Sequence, residues 1–583
     1  MGIKLKVGIF MKKFLSLFMT ILMLCGMIFT VSAEKVVVDK NAVLSALYEA
    51  DISTIREAID LKIISCEELT AYYLERIEKY NAPYNCFITL CDDALEVAKQ
   101  RDEALAKGEN DGLLFGLPVV VKDNIDIKGL YTTNGHTYEK SKIAQENATI
   151  VKYLLEQGAI IIGKTNMSTD AQDARISYSE IKGQTKNAYN TLLASGGSSG
   201  GTAVSVSLNF AVAGLGTDTN SSLRIPAVLN GCVSLRPTFD LIDRTGCTTL
   251  NSTRDVAGAI TRTVYDQAIM MDVLTNGQYK YTENLDKNAL DGLKIGVLKE
   301  LSYATTTASI TGTDEVRNAV ATRFDMAART EKHIDDEVAS ALSDAIKEFE
   351  NCGAEVVTVS MPNLWNLSYN TFASGHKSNK QALYNEFERI VNENGLDAII
   401  FPSYLSTPLK SGTDENGKYW NAWSQPFSNN CRAVSPSASL PEISIPIGYH
   451  SSGAGIGLEI AGLKNSEQLL LNIAYSYSEK YNHRAVPTGA PDLYADYSSE
   501  SLKEIIDSVI YQANAKPETT TEKQTEQPII SDNDKSNSNF VPMFIGVGFV
   551  GVGIILTAIS KRKKPKKEKV VTPEPQYDIN TQR

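Results

Sequence analysis

The segment Ser195-Gly196-Gly197-Ser198-Ser199-Gly200-Gly201 is followed shortly by Gly216-Thr217-Asp218-Thr219-Asn220-Ser221-Ser222-Leu223-Arg224-Ile225-Pro226-Ala227. Glycine permits positive φ and lets a ligand approach the backbone closely, so serines between glycine pairs suit a reactive site. A Gly/Ser run alone is equally typical of a flexible linker. The second segment favours a structured site, because Asp218, Arg224 and Pro226 are not linker residues. Its consecutive N–H groups around a serine also suit an oxyanion hole.

Charge is distributed unevenly along the chain. The net charge is −12, yet the first 33 residues carry four lysines and no acidic residue, and the tail from Lys561 is strongly basic. The body between these ends is therefore more acidic than the total. A nucleic-acid-binding surface would be basic, so this balance argues against a nucleic-acid partner.

The N-terminus has the pattern of a secretory signal. Four lysines precede an apolar run from Phe14 to Thr30, and Val31-Ser32-Ala33 resembles a small-residue cleavage site. Residues 1–33 are therefore predicted to be a signal peptide, with an uncleaved anchor helix as the alternative.

The C-terminus has the pattern of a membrane anchor. Phe540 to Ile559 is apolar and free of charge, and about 20 helical residues span the roughly 30 Å of a bilayer core. Lysines and arginine follow in 560–583, which predicts a basic cytoplasmic tail. The polar segment 516–539 is predicted to be a disordered stalk. These features predict a single-pass protein of the cell membrane whose body, residues 34–515, lies outside the cell.

Cysteine and histidine positions do not indicate a metal site. The chain has no CxxC pair, and its five histidines are scattered without ligand-like spacing. A protein of this size does not need disulfides, so the cysteines of the body are predicted to be mostly buried free thiols. No metal or organic cofactor is expected.

Short apolar strands alternate with helices through the body. Predicted strands include 116–121, 159–163, 293–298, 355–359 and 398–402, and a helix is predicted to open at Ser65 as N-cap. Another helix, over 202–208, would direct its positive dipole end at the first Gly/Ser segment. The alternation predicts an α/β fold: one large domain with a mixed central sheet flanked by helices, in addition to the transmembrane helix. Residues 303–333 are polar and are predicted to be an insertion.

Lys122 directly follows the predicted strand 116–121. Burying an ammonium group is costly, so a lysine there is either paired, partly deprotonated or reaching solvent. The segment alone leaves these alternatives open.

Five blocks spread over roughly residues 43–508 resemble the pattern of the amidase signature family. The blocks are Gly116-Leu117-Pro118 with Lys122-Asp123, Gly163 to Met167, Gly196 to Gly201, Gly216 to Ala227, and Leu440-Pro441 with Ile445-Pro446.

The resemblance implies a Ser–Ser–Lys triad and a covalent acyl-enzyme. By motif position Ser222 is the nucleophile, Ser198, after a cis peptide bond, is the bridging serine, and Lys122 is the base. The implied oxyanion donors are the backbone N–H groups of Thr219, Asn220, Ser221 and Ser222. Lysine acts as a base only when neutral, so burial must lower the pKa of Lys122.

The chain departs from the family pattern at Asn220-Ser221, where two glycines are usual. Asn tolerates positive φ better than most residues, but Ser221 is expected to narrow the oxyanion hole or change selectivity. The departure also leaves open whether Ser221 or Ser222 attacks, and the spacing to Arg224 favours Ser222. Asp218 and Arg224 are expected to brace the loop.

Three functions follow as hypotheses. The first is a membrane-anchored extracellular amidase that hydrolyses the C–N bond of a small-molecule amide. The second is an amidotransferase-type subunit that transfers ammonia, against which the predicted signal and anchor argue. The third is a catalytically inactive binding protein on the same fold, which Asn220-Ser221 would favour.

Overall fold

The computed structural model describes residues 39–305, 310–374, 377–412, 424–497 and residue 506. These residues belong to a unit that ends at Lys516. The predicted signal peptide, the stalk, the transmembrane helix and the basic tail lie outside the described residues. Within the described ranges no helix is both long and apolar enough to cross a bilayer.

An eleven-stranded mixed sheet runs through the described part of the chain, which confirms the predicted α/β architecture. Its strands are β1 Phe87–Leu90, β2 Pro118–Lys122, β3 Ile160–Thr165, β4 Ala213–Asp218, β5 Val233–Arg236, β6 Val256–Thr261, β7 Lys294–Leu298, β8 Glu355–Val359, β9 Ala398–Pro402, β10 Glu442–Tyr449 and β11 Gly455–Ala461.

The spatial order is β1-β3-β2-β4-β6-β5-β10-β11-β9-β7-β8. β2 is parallel to both β3 and β4, and β7 is parallel to both β8 and β9, whereas the pairs that join these two groups are antiparallel. Because β2 and β4 are parallel and pair Val121 with Leu215, their carboxyl ends lie side by side. This places Lys122 beside the segment that begins at Gly216.

Helices pack around the sheet. They are α1 Lys40–Ala46, α2 Ile52–Asp60, α3 Cys66–Tyr80, α4 Ala94–Lys107, α5 Thr149–Glu156, α6 Gly200–Ser207, α7 Arg224–Leu229, α8 Val264–Leu274, α9 Lys299–Ser302, α10 Asp314–Arg323, α11 Asp336–Asn351, α12 Leu364–Ser374, α13 Lys377–Asn394, α14 Ser435–Ala438 and α15 Glu467–Lys480.

Local sequence explains how the long helix α3 begins. Ser65 Oγ accepts the N–H of Glu68, and the Glu68 carboxylate accepts the N–H of Ser65, which forms a capping box. The predicted N-cap is therefore confirmed. All seven described cysteines are free thiols, five of them buried, which confirms that prediction as well.

Helix α6 lies wholly in the interior, and all eight of its residues are buried. Close packing requires glycine at its start: a Cβ on Gly200 would lie 2.4 Å from Ser177 Oγ, and one on Gly201 would lie 2.4 Å from the Asn166 carbonyl oxygen. In the preceding loop Gly196 has a φ of +72°, which favours glycine. The Gly/Ser segment is thus a packed turn into a core helix and not a linker.

A second apolar core lies under the segment that was predicted to be a polar insertion. Val320 at the end of α10 and the adjacent Phe324 are buried with Trp365 of α12. The prediction missed this helix because only its inner face is apolar.

Candidate active site

Lys122 is the last residue of β2 and is fully buried. Its Nζ donates to Ser198 Oγ at 2.7 Å, to Thr217 Oγ1 at 2.9 Å and to the Thr217 carbonyl oxygen at 3.4 Å. Asn124 Nδ2 also donates to Thr217 Oγ1, at 3.0 Å, which fixes that hydroxyl. The lysine is therefore aimed at the Gly/Ser loop and does not reach solvent.

Burial lowers the pKa of Lys122 to about 7, although the nearby carboxylates of Asp218 and Asp255 act in the opposite direction. Neither carboxylate forms an ion pair with Lys122 in the described part of the chain. At neutral pH a large fraction of this lysine is uncharged and able to accept a proton. This matches the electrostatic requirement expected from the sequence.

Ser198 lies in the loop that enters α6 and is fully buried. The Gly197–Ser198 peptide bond is cis, as predicted. The loop packs closely against its surroundings: the Gly197 N–H donates to the Ala174 carbonyl at 3.0 Å, and a Cβ on Gly197 would lie 2.4 Å from the carbonyl oxygens of Asp173 and Ile176. Ser198 Oγ is thereby held within reach of Lys122.

Ser222 lies in the loop between β4 and α7, and 5% of its surface is exposed. Its carbonyl accepts the N–H of Ser199 at 3.2 Å, which ties the two serine loops together. Its Oγ makes no hydrogen bond with another described residue, so the hydroxyl is available to a ligand. The Ser198–Ser222 hydroxyl bridge stays a prediction.

The backbone N–H groups of Thr219, Asn220, Ser221 and Ser222 also donate to no partner within the described ranges. Thr219 is fixed through its side chain, whose Oγ1 donates to Asp255 Oδ1 at 2.6 Å. Four consecutive donors left open beside a serine hydroxyl have the chemistry of an oxyanion hole.

The two residues that replace the usual glycines fit the loop without backbone strain. Neither Asn220 nor Ser221 adopts positive φ. Ser221 is fully buried, and its Oγ accepts a hydrogen bond from Asn429 Nδ2 at 2.9 Å. Ser221 is thus occupied as a structural group, which leaves Ser222 with the free hydroxyl.

A buried ionic network braces this loop, as expected for Asp218 and Arg224. Arg224 pairs with Asp218 at 3.1 Å, with Glu442 and, at 3.5 Å, with Glu459, and it donates to the Asn220 carbonyl at 2.8 Å. Arg236 pairs with the same Asp218 at 2.9 Å. Although burial opposes the shift, Arg224 and Arg236 keep the pKa of Asp218 below its usual value.

Cys431, Glu442 and Glu459 form a compact group that resembles a set of metal ligands. Their oxygens are already engaged: Arg224 and Ser435 bind Glu442, while Ser403 and Ser444 donate to Glu459. Burial, with Glu459 close by, also holds the pKa of Glu442 well above its usual range. We therefore assign this group to the structural network and not to a metal.

Two residues of the site were not predicted from the sequence. Thr217 lies in one of the family blocks but had no expected role, and it binds Lys122. Asn429 holds Ser221 although 208 positions separate them in the chain. No local pattern links that pair.

Comparison with known proteins identifies a family and relatives of this chain. The profile of the Amidase family matches residues 68–322. The A subunit of glutamyl-tRNA(Gln) amidotransferase from Thermoanaerobacter pseudethanolicus is 30% identical over 511 residues, which cover 76% of this chain and 98% of that protein. The corresponding protein of Caldanaerobacter subterraneus is 29% identical over 517 residues, with 76% and 98% covered.

Solved structures show the same fold. Peptide amidase from Stenotrophomonas maltophilia superposes with a TM-score of 0.60 and 24% identity, covering 76% of this chain and 99% of that one. Fatty acid amide hydrolase gives a TM-score of 0.61 and 17% identity, with 78% and 88% covered. Since a relative is 30% identical across nearly its whole length, the chain belongs to the amidase signature family.

Proposed function

We propose that this protein hydrolyses carboxylic amides through Ser222, Ser198 and Lys122. The observation that carries the proposal is the fully buried Lys122, whose pKa is about 7 and whose Nζ lies 2.7 Å from Ser198 Oγ. A structural lysine would have a carboxylate partner. Lys164, which is also fully buried, has one in Asp123 at 3.2 Å.

The proposed reaction begins with neutral Lys122. Ser222 Oγ attacks the amide carbonyl carbon, its proton passes to Ser198 Oγ, and Ser198 passes its own proton to Lys122 Nζ. The N–H groups of residues 219–222 bind the oxyanion of the tetrahedral intermediate. Lys122 then returns a proton through Ser198 to the leaving nitrogen, and the C–N bond breaks to give amine or ammonia and acyl-Ser222. Water, activated by the same relay, releases the carboxylic acid and restores Ser222.

We further propose, from the sequence patterns of 1–33 and 540–559, that the catalytic domain is anchored at the cell membrane and lies outside the cell. A small-molecule amide is then the substrate, and nucleic acid is not a partner. Protease accessibility of an epitope in the body, in intact cells, tests this placement. Protection of the epitope would contradict it.

A second candidate is supported by the curated relatives, which are named as the A subunit of glutamyl-tRNA(Gln) amidotransferase. In that case the ammonia released from an amide would pass to an acceptor on a partner protein. The two candidates differ in what the isolated chain does. An amidase turns over simple amides alone, whereas a component of a transferase depends on its partners.

Labelling by a fluorophosphonate tests whether Ser222 can be acylated. A screen of primary amides, N-acyl amides, amidated peptides and glutamine then tests hydrolysis. We expect labelling of the wild type and of a control with an exposed serine removed, Ser252→Ala, and no labelling of Ser222→Ala. Lys122→Met is expected to lose acylation, whereas Lys152→Met, at an exposed lysine, keeps it. Absence of labelling in the wild type would contradict the proposal and favour an inactive binding protein.

A further inference from the structure

A fully buried arginine, Arg329, lies in the segment 303–333 that was predicted to be an insertion. It ends the short 3-10 turn Met326–Arg329, which follows helix α10. Its guanidinium carbon lies 4.4 Å from the ring centroid of Trp365, a residue of the second apolar core. Among the described residues Arg329 forms no ion pair, and its hydrogen bonds go to neutral oxygens.

Arg329 holds two consecutive residues of a distant segment. Its Nη1 donates to Asn430 Oδ1 at 2.6 Å, and its Nη2 donates to the Asn429 carbonyl oxygen at 3.3 Å. Its Nε donates to the Phe324 carbonyl oxygen at 3.0 Å, which fixes the guanidinium plane from the side of its own segment. The rigid fork of donors on a guanidinium group suits such a contact at several points. The contact restrains both the backbone of Asn429 and the side chain of Asn430.

Asn430 connects this contact to the central sheet. Its Nδ2 donates to the carbonyl oxygen of Pro402, the last residue of β9, at 2.5 Å, and to that of Leu301 at 2.7 Å. Its backbone N–H donates to the Ser403 carbonyl oxygen at 2.9 Å. Asn430 is therefore held by the sheet on one side and by Arg329 on the other.

Asn429 connects the same contact to the loop before Ser222. Its Nδ2 donates to Ser221 Oγ at 2.9 Å, and Ser221 is the residue directly before Ser222. Arg329, Asn429 and Ser221 are all buried, and none of them is more than 2% exposed. Water does not compete for hydrogen bonds in such surroundings, so each bond restrains its partners strongly. A buried path thus leads from Arg329 through Asn429 to the loop of the proposed oxyanion donors.

We propose that Arg329 is a positioning residue for this loop and that it acts through Asn429 on Ser221. The proposal rests on the proposed function, since it assigns a further residue to the same reaction. It also gives the segment 303–333 a role in hydrolysis, because that segment supplies Arg329. The competing explanation is that Arg329 only stabilises the second apolar core.

The first test compares Arg329→Gln with a matched control, Arg76→Gln, in the full-length protein. Arg76 is also fully buried, lies over the ring of Tyr48 and donates to four backbone carbonyl oxygens, but none of these contacts involves Asn429 or Ser221. Both variants are expected to lower the urea midpoint of unfolding. Only Arg329→Gln should lower kcat, by about tenfold with KM within about twofold, which is the effect of one lost positioning hydrogen bond. Equal losses of kcat in the two variants would overturn the proposal.

Two further measurements separate positioning from packing. In an Asn429→Ala background the path to Ser221 is already cut, so Arg329→Gln should lower kcat by less than about twofold more. The pH midpoint of Ser222 labelling should stay near 7 in Arg329→Gln, because Lys122 remains buried. A loss of packing that brings water to Lys122 would raise this midpoint. Additive losses of kcat, or a raised midpoint, would contradict the proposal and favour the competing explanation.

Amide hydrogen exchange keeps this proposal distinct from the proposed function, since it requires no turnover. The Ser221 carbonyl accepts the N–H of Ile225 at 3.0 Å at the start of α7, so loosening of Ser221 weakens that bond. We expect peptides within 219–229 to exchange about tenfold faster in Arg329→Gln and at the wild-type rate in Arg76→Gln.

If the wild type hydrolyses no amide and Ser222 is not labelled, the proposed hydrolysis fails, whereas faster exchange within 219–229 would still support the link from Arg329. If Arg329→Gln does not fold, Arg329→Lys is measured in its place, because it keeps the cation and loses the fork of donors. Unchanged exchange within 219–229 in a folded Arg329 variant would overturn the link.

Discussion

Two groups of arginines differ in exposure and in the carboxylates that they share. The loop-bracing network contains Arg224 and Arg236 with Asp218, Glu442 and Glu459, and every one of its side chains is fully buried. The second group, Arg175 and Arg432, shares the Asp325 carboxylate and is partly exposed.

The difference separates fully buried arginines from partly exposed ones. In the buried network Arg224 pairs with Asp218, Glu442 and Glu459, and Arg236 pairs with the same Asp218. In the second group Arg175 and Arg432 share the carboxylate of Asp325. Arginine next to an active site is therefore not evidence of substrate binding until its counter-charges have been counted.

The largest expected effect comes from breaking the fully buried network. Arg224→Leu removes the arginine that joins Asp218 to Glu442 and Glu459 and leaves Arg236 as the remaining partner of Asp218, and breaking a buried ion pair typically costs about 3–5 kcal/mol. We expect the urea midpoint of unfolding to fall accordingly and Ser222 labelling to be lost. Arg389→Leu, at an exposed arginine, is expected to change stability by less than about 0.5 kcal/mol. A loss below about 1 kcal/mol for Arg224→Leu would show that the network does not hold the loop.

A pH profile distinguishes Lys122 from both sets of arginines, which stay charged at neutral pH. Because Lys122 must be neutral to accept a proton and its pKa is about 7, the labelling rate should rise about tenfold per pH unit below 7 and level off above it. Fluorophosphonate labelling from pH 5 to pH 9 measures this directly. Lys122→Met should show no such rise of the labelling rate with pH. A labelling rate independent of pH in the wild type would contradict the assignment of Lys122 as the base.

A smaller effect is expected at the hydrogen bond between Asn429 and Ser221. Asn429→Ala leaves the buried Ser221 hydroxyl without its donor, which costs about 1–3 kcal/mol. We expect kcat to fall about tenfold with little change in KM. In a Ser221→Gly background the same substitution should cost much less, since the hydroxyl is gone. Equal losses in the two backgrounds would show that the hydrogen bond does not position the loop.

The smallest expected effect is at Arg432. Arg432→Gln breaks one partly exposed ion pair while Arg175 still pairs with Asp325, so it should change the free energy of unfolding by no more than about 0.5 kcal/mol. Thermal unfolding measured beside Arg224→Leu makes the comparison direct. A loss comparable with that of Arg224→Leu would place both groups among the structural arginines.

The sequence predicted the helices and strands well because local residue patterns determine them. The strands at 355–359 and 398–402 match their predicted bounds, and the helix predicted at 202–208 is α6, Gly200–Ser207. Runs of β-branched residues and a serine cap act over a few positions, and the sequence shows them directly. The order of the strands in the sheet depends on long-range pairing and was not predicted.

The polar surroundings of the site were predicted least well. Asn429 contacts Ser221, and Arg432 meets Arg175 at Asp325, across gaps of hundreds of residues. No periodicity or motif in the sequence indicates these contacts, because tertiary packing determines them. For the same reason the sequence did not show how Ser221 fits the oxyanion loop, whereas the structure places this residue at negative φ with Asn429 as its donor.

Because the loop before Ser222 holds its shape without a left-handed residue, positions 220 and 221 are open to residues other than glycine. An enzyme that needs glycine at such positions loses the conformation of the loop when these glycines are replaced. Here the two residues that precede the proposed nucleophile form a natural pair for a saturation library. Selection for the proposed hydrolysis of new amides can then start at these two positions.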